Sequence, residues 1–183
     1  IYLTPHNGDA ISLFTGLGYE WETVRSREVS LILTGLTSGK LYDVFAYSSG
    51  LGIALELSAA WTDDTTRADA VSYYNGRIVK TSDKTRLLVG TICTTSTTAT
   101  EDSLINRLLY NQYNRVRRRS FRTDSTDHSY TTSSWRYWND DSSQVLKVVN
   151  GALDVSVFEG KLWCYNGGGQ STQEIGFYID AGN

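Results

Sequence analysis

Two neighbouring β-strand patterns between Leu41 and Trp61 constrain the fold more than any other part of the sequence. Residues 41–48 are apolar on both alternation sets, which is typical of a strand that is buried on both faces. Residues 53–61 alternate between apolar and polar positions, which indicates a strand with a single core face. A small, glycine-containing segment, 48–52, lies between the two patterns. The pair therefore predicts a hairpin in a β-rich domain.

A second hairpin is predicted around the dipeptide Asn75-Gly76, since these residues tolerate the positive φ angles of a type I′ turn. The flanking strands are residues 70–74 and 77–81, and a strand over residues 86–94 is expected to be buried on both faces. About ten short strands separated by turn signals predict a mainly β fold, an antiparallel β-sandwich of the jelly-roll type. The later predicted strands are Val145–Val149, Leu153–Tyr165 and Glu174–Ile179.

One segment departs from the β pattern. Apolar residues recur at helical spacing from Leu104 to Val116, and Glu101 and Asp102 occupy what would be the first turn of a helix. Thr100 is a suitable N-cap, so we predict one short helix over Glu101–Asn114. The alternative is that residues 110–117 form a strand at a subunit interface.

Length and charge restrict the classes of protein that fit. The chain has 183 residues, which predicts a single domain over 1–183. It begins at Ile1 and contains no Met, so we expect a fragment or processed product that lacks an N-terminal segment. With 17 Lys and Arg against 20 Asp and Glu, the net charge of -3 gives no general reason to bind nucleic acid or anionic membranes. No apolar run approaches the roughly 18 residues that a membrane span needs.

Candidate metal ligands are sparse, and we expect no metal and no other cofactor. Cys93 and Cys164 lie in predicted strands, which favours buried thiols over a disulfide. His6 and His128 have no zinc-ligand spacing to either cysteine or to each other. Residues 62–67 lack the spaced carboxylates of a calcium loop, and turn formation by Asp and Thr explains them better.

The acidic residues do not suggest a catalytic pair. Glu20 and Glu22 share one strand, and Asp140 and Asp141 share one turn. The two carboxylates of neither pair are therefore expected to face each other across a substrate, as a glycosidase requires. The sequence has no nucleophile elbow and no phosphate-binding loop. We therefore expect that the protein is not an enzyme.

A cluster of arginines and tyrosines is the first candidate site. Arginine forks suit phosphate, but the chain as a whole is acidic, and Arg, Tyr and Trp are the residue types enriched at subunit interfaces. We therefore favour pairing of these arginines with carboxylates, at a helix C-terminus or across a subunit boundary, over an anion-binding patch. The predicted interface residues are Tyr110, Tyr113, Arg115, Arg117, Arg118 and Arg119.

A run of aromatic residues is the second candidate site. Trp135, Tyr137 and Trp138 could stack on sugar rings, as the aromatic residues of a carbohydrate-binding module do. They could equally fill a subunit interface. The nearby arginines favour the interface, and glycan stacking remains the alternative.

The order of several segments resembles a domain that recurs in tailed-phage and prophage virion proteins. The similarity extends from about Tyr2 to Asp180 and includes the strand GFYID near the end of the chain. The segments that carry it are LTGLTSGKLYDVFAY, LELSAAWTDDTTRA, TEDSLINRLLYNQYNRVRR and YTTSSWR.

This resemblance implies a non-enzymatic component of the phage particle. Such proteins include capsid decoration or cement proteins, head fibres and tail-fibre modules, and they are commonly homotrimeric sandwiches of the jelly-roll kind. We therefore expect a homotrimer on the virion surface whose partners are other virion proteins, such as the major capsid protein or fibre and tail proteins. The alternative is a receptor-binding module that contacts host surface glycan. Neither alternative involves nucleic acid or a membrane span.

Overall fold

The computed structural model describes residues 1–16, 21–126 and 134–161, and β-strands dominate these residues. A single 3₁₀ turn, Trp138–Asp140, accompanies them. The strands are β1 (Tyr2–Leu3), β2 (Ala10–Phe14), β3 (Trp21–Arg25), β4 (Val29–Ser30), β5 (Leu41–Ser48), β6 (Ile53–Leu57), β7 (Val71–Tyr74), β8 (Arg77–Lys80), β9 (Asp83–Cys93), β10 (Asn106–Arg107), β11 (Leu109–Asn111) and β12 (Lys147–Val148).

The main sheet has six antiparallel strands in the order β6-β5-β9-β8-β7, with β11 pairing the C-terminal part of β9. Strand β9 is 11 residues long and pairs β5 along most of its length. The register between these two strands shifts at Val44 and Phe45, which marks a β-bulge. Strands β8 and β11 pair the two ends of β9 on the edge opposite β5, so β11 is an outer strand of the sheet.

The two predicted hairpins are confirmed. Strands β5 and β6 pair antiparallel from Val44 to Leu57, although β6 ends four residues before the predicted end at Trp61. Strands β7 and β8 flank Asn75 and Gly76, whose φ angles of 48° and 77° are the positive values that a type I′ turn requires.

The largest hydrophobic core lies between the main sheet and a second layer made of the β2–β3 and β1–β4 pairs. Leu13 of β2 is fully buried against residues of β5 and β9. A smaller cluster, Phe45, Ile78 and Leu88, occupies the other face of the sheet. These antiparallel layers confirm the mainly β class and agree with a sandwich, whereas the jelly-roll connectivity remains a prediction. One short pair, β10–β12, is parallel.

The predicted helix over Glu101–Asn114 is wrong. This segment forms turns and the strands β10 and β11, and the Ser103 hydroxyl accepts hydrogen bonds from the backbone N–H groups of Ile105 and Asn106. The apolar stripe that suggested the helix is divided, because Leu108 is buried in the core whereas Leu104 is exposed. Pairing of β11 with β9 outweighed the local helical pattern.

The predicted strands near the C-terminus are mostly absent from the described residues. Val145–Val149 is reduced to the two-residue strand β12. Residues 153–161, the described part of the predicted strand Leu153–Tyr165, belong to no strand in the structure. The remainder of that strand and the predicted strand Glu174–Ile179 lie outside the described residues.

Candidate interaction surface

A buried ion pair joins Asp43 of β5 to Arg67, and Arg67 in turn holds the chain at Gly151. The carboxylate of Asp43 is fully buried in the middle of the main sheet. It accepts hydrogen bonds from Thr91 Oγ1 at 2.7 Å, Trp61 Nε1 at 3.1 Å and Arg67 Nε at 2.8 Å. The Arg67 guanidinium also lies 4.4 Å from the centroid of the Trp61 ring. Both carboxylate oxygens therefore have donors, as a buried charge requires.

The electrostatics of this group reflect its burial. Burial raises the pKa of Asp43 above its usual range, although Arg67 and the hydrogen bonds from Thr91 and Trp61 act in the opposite direction. The desolvation of the carboxylate thus outweighs the attraction of its partners. The sequence analysis did not single out Asp43. The available signal was a lone carboxylate inside the otherwise apolar run 41–48, which demands buried partners.

Arg67 connects this ion pair to the C-terminal part of the described chain. Its Nη2 atom donates a hydrogen bond of 2.6 Å to the carbonyl oxygen of Gly151. A Cβ atom at Gly151 would lie 2.1 Å from Thr91 Oγ1 and 2.9 Å from Tyr110 Cδ1, so only glycine fits this approach. Residue 151 is therefore fixed against the main sheet, and the residues after it extend from that point.

The arginines of the first candidate site are paired with carboxylates of the same chain. Arg115 Nη1 lies 2.7 Å from Asp154 Oδ1, and Arg117 pairs with Glu159. Arg118 pairs with Asp102 and donates a hydrogen bond of 3.0 Å to the carbonyl oxygen of Leu109.

The remaining residues of this predicted interface have other neighbours. Arg119 lies over the Phe121 ring at 4.8 Å, and the Tyr110 hydroxyl donates to Gln112 Oε1 at 3.0 Å. The ring of Tyr110 also has the Arg115 guanidinium 5.7 Å from its centroid. Tyr113 is about half exposed, so this segment presents both rings and paired charges.

The exposed apolar residues are concentrated after β11. Within the described chain, every buried core residue lies at Leu108 or earlier. From Tyr113 onward, each described large apolar side chain is either half-buried or exposed. Val155 is 88% exposed and Val157 is 82% exposed. The larger exposed set is Tyr113, Val116, Phe121, Trp135, Tyr137, Trp138, Leu146, Val148, Leu153, Val155, Val157 and Phe158. Among the described residues, the core and the exposed apolar side chains therefore lie in different parts of the chain.

The aromatic run of the second candidate site is also exposed. Trp135 is 72% exposed, and Tyr137 and Trp138 are about half exposed. Trp138 begins the 3₁₀ turn, in which Asn139 and Asp140 have positive φ angles of 53° and 58°. Among the described aromatic residues, no ring stacks on these three.

The residues considered as metal ligands have other roles where the structure describes them. Asp63 Oδ1 accepts hydrogen bonds from the backbone N–H groups of Thr65 and Thr66 at 2.8 and 2.7 Å, which is turn chemistry. These bonds lower the pKa of Asp63. No group of three or more potential ligands is found within residues 1–16, 21–126 and 134–161. Cys93 is half-buried, and Cys164 and His128 lie outside the described residues.

Comparisons of the chain with protein-family models, with curated proteins and with solved structures find no match. In the part of the chain that the structure describes, no helix is long and apolar enough to cross a membrane. The resemblance to phage virion proteins therefore rests on the sequence segments given above.

Proposed function

We propose that this protein is a non-enzymatic structural component of a bacteriophage particle, a homotrimer that decorates or cements the virion surface. The observation that carries the proposal is the separation of the chain into two parts. Of the described residues, those up to β11 supply the buried core, whereas residues 113–158 supply most of the exposed large apolar side chains. A chain that is fixed to its own sheet at Gly151 and then exposes valines and aromatics is suited to assembly.

The arginine segment would contribute to assembly through residues that are already positioned. Arg115 and Arg118 pair with carboxylates and are only about one-third exposed, so their guanidinium groups have defined positions beside exposed apolar side chains. The pair of Arg117 and Glu159 is more exposed and contributes less. Pre-positioned Arg and Tyr residues lower the entropy cost of binding. Contacts of this kind across capsomer boundaries would stabilise only the assembled shell, because a partner that binds the assembled form shifts the equilibrium toward it.

The first test is the native mass of the purified protein together with its co-sedimentation on phage particles and on empty, tailless capsids. We expect a trimer that sediments with tailless capsids. A trimer that binds only tails or fibres would move the protein to another position on the particle. A monomer at micromolar concentration that binds no particle would refute the structural proposal.

The alternative function is a receptor-binding module of a tail or head fibre. The observation that favours it is the exposed run Trp135, Tyr137 and Trp138, since exposed aromatic faces can stack on sugar rings and no other described ring stacks on these three. The corresponding test is a glycan array with the wild type and with Trp135→Ala. Binding of a defined glycan that the variant loses, without binding to tailless capsids, would favour the receptor over the cement.

A further inference from the structure

Residues 147–154, which we call the strap, are attached to the rest of the fold mainly through their backbone. Among the described residues after Leu108, Gly151 is the only one that is buried. The apolar side chains of the strap are not in the core, since Val148 and Leu153 are exposed and Val149 is half-buried. The strap therefore gains little from apolar burial, and polar contacts hold it in place.

The first part of the strap is joined to the fold by a short parallel strand pair. Strand β12 pairs with β10, and the N–H group of Lys147 donates to the carbonyl oxygen of Ile105 at 3.0 Å. The N–H group of Val149 donates to the carbonyl oxygen of Arg107 at 2.8 Å. Among the described strands, β12 is the only partner of β10.

The second part of the strap is held by two arginines of unequal importance. Arg67 Nη2 donates a hydrogen bond of 2.6 Å to the carbonyl oxygen of Gly151. Arg115 pairs with Asp154, but the Asp154 side chain is 51% exposed, and an ion pair this open to water contributes little. The contact between Arg67 and Gly151 is therefore the main attachment of this part.

The site that receives Gly151, which we call the socket, consists of Arg67, Thr91 and Tyr110, and the core holds its first two members in position. Asp43 accepts hydrogen bonds from Arg67 Nε at 2.8 Å and from Thr91 Oγ1 at 2.7 Å. The Trp61 ring lies 4.4 Å from the Arg67 guanidinium. These three contacts join residues outside the strap, so they do not require the strap to be bound. Asp43 is thus a positioning residue for the Arg67 donor.

The socket fits a backbone without a side chain. Gly151 does not have a positive φ angle, so its backbone conformation alone does not demand glycine. A Cβ atom there would lie 2.1 Å from Thr91 Oγ1 and 2.9 Å from Tyr110 Cδ1. Close approach to the socket is therefore the physical reason for glycine at position 151.

We propose that the strap is a reversible latch, which leaves the socket and β10 while the main sheet stays folded. Segments with few buried apolar contacts open at a lower free-energy cost than the core strands that they cover. The strap has this character, whereas the socket is fixed by the buried Asp43. Opening would free the β10 edge and the Arg67 donor in one event. This inference is independent of the proposed role in a phage particle.

The first experiment is native-state amide hydrogen exchange, followed by NMR in urea concentrations below the unfolding transition. We expect the amides of Lys147 and Val149 to exchange faster than the paired amides of β5 and β9. Their exchange should depend little on urea, because a local opening exposes little surface, whereas exchange through global unfolding depends on it steeply. Equal protection and an equal urea dependence in the strap and the sheet would overturn the latch.

The second experiment repeats the measurement with Arg67→Lys. Lysine keeps a positive charge beside Asp43, but its single ammonium group lacks the fork with which the guanidinium spans two acceptors. We expect the exchange of the Lys147 and Val149 amides to accelerate by about 10- to 100-fold, the effect of losing one hydrogen bond from a charged donor.

The matched control for this variant is Arg25→Lys. It makes the same chemical change in an exposed ion pair with Asp9 and should leave the exchange of the strap amides unchanged. Unaltered strap exchange in Arg67→Lys would overturn the role of Arg67 as the latch.

A third variant, Gly151→Ala, tests the latch from the strap side and serves if Arg67→Lys does not fold. It leaves the Asp43 and Arg67 pair intact and places a Cβ atom against Thr91. We expect exchange of the Lys147 and Val149 amides to accelerate by about tenfold or more, again with little dependence on urea. Wild-type exchange rates at both amides would show that Gly151 does not seat the strap and would overturn the proposal.

Discussion

The buried pair of Asp43 and Arg67 predicts strong energetic coupling between the two residues. Asp43→Ala leaves the guanidinium, whose side chain is only 13% exposed, without its counter-ion. Arg67→Met keeps most of the side-chain volume but leaves a fully buried carboxylate. Removing one partner of a buried pair costs about 3–5 kcal/mol in the free energy of unfolding.

The double variant should cost much less than the sum of the single variants. It removes both charges together but leaves the Thr91 hydroxyl and the Trp61 N–H without their acceptor, at about 1–3 kcal/mol for each neutral donor, and it leaves the Gly151 carbonyl oxygen without its Arg67 donor. If the two residues were independent, the sum would be about 6–10 kcal/mol. We therefore expect a coupling free energy of about 3 kcal/mol.

The measurement is urea unfolding of the four proteins at one chain concentration, followed by tryptophan fluorescence. The control cycle uses Arg25→Met and Asp9→Ala, an ion pair at 2.9 Å whose side chains are 79% and 56% exposed. Exposed pairs of this kind contribute about 0–1 kcal/mol. Effects at positions 43 and 67 that add to within about 0.5 kcal/mol would refute the argument from burial.

Gly151→Ala should lower the free energy of unfolding by about 1–3 kcal/mol in urea denaturation, because its Cβ would overlap Thr91. Burial raises the pKa of Asp43. The contribution of Asp43 to the free energy of unfolding is therefore fully present below the unfolded-state pKa and is lost as pH rises through the folded-state pKa. The stability difference between the wild type and Asp43→Asn, measured from pH 3 to 8, should therefore be larger at low pH; a pH-independent difference would contradict the raised pKa. Arg117→Glu combined with Arg118→Glu should lower the oligomer mass while far-ultraviolet circular dichroism stays unchanged, and an unchanged mass would remove these arginines from the interface.

The predicted helix over residues 101–114 shows where local sequence patterns are insufficient. Its apolar spacing suited a helix, yet Leu109–Asn111 pairs with Gly90–Ile92 of β9. Gly90 lacks a side chain that would otherwise meet the Tyr110 carbonyl oxygen, since a Cβ there would lie 2.4 Å away. A glycine on one strand thus permits the close approach of a strand distant in sequence, and no local window contains both.

Only part of the candidate surface could be predicted from the sequence. The arginine and tyrosine residues were selected by type, and the structure assigns Arg115 and Arg117 to the carboxylates of Asp154 and Glu159. These pairs span 39 and 42 residues, so charge patterning within a helix or turn does not predict them. The role of these residues in an interface stays a prediction.

The sequence by itself determined two local β-hairpins of this protein. The apolar run 41–48 and the Asn75-Gly76 turn each act through neighbouring residues, because side-chain alternation and positive φ are local properties. Tertiary structure alone decided that Asp43 is paired with Arg67 and that residues 153–161 form no strand within the chain. Burial of a charge and pairing of a strand depend on distant partners, and those partners are brought together only by the folded sheet.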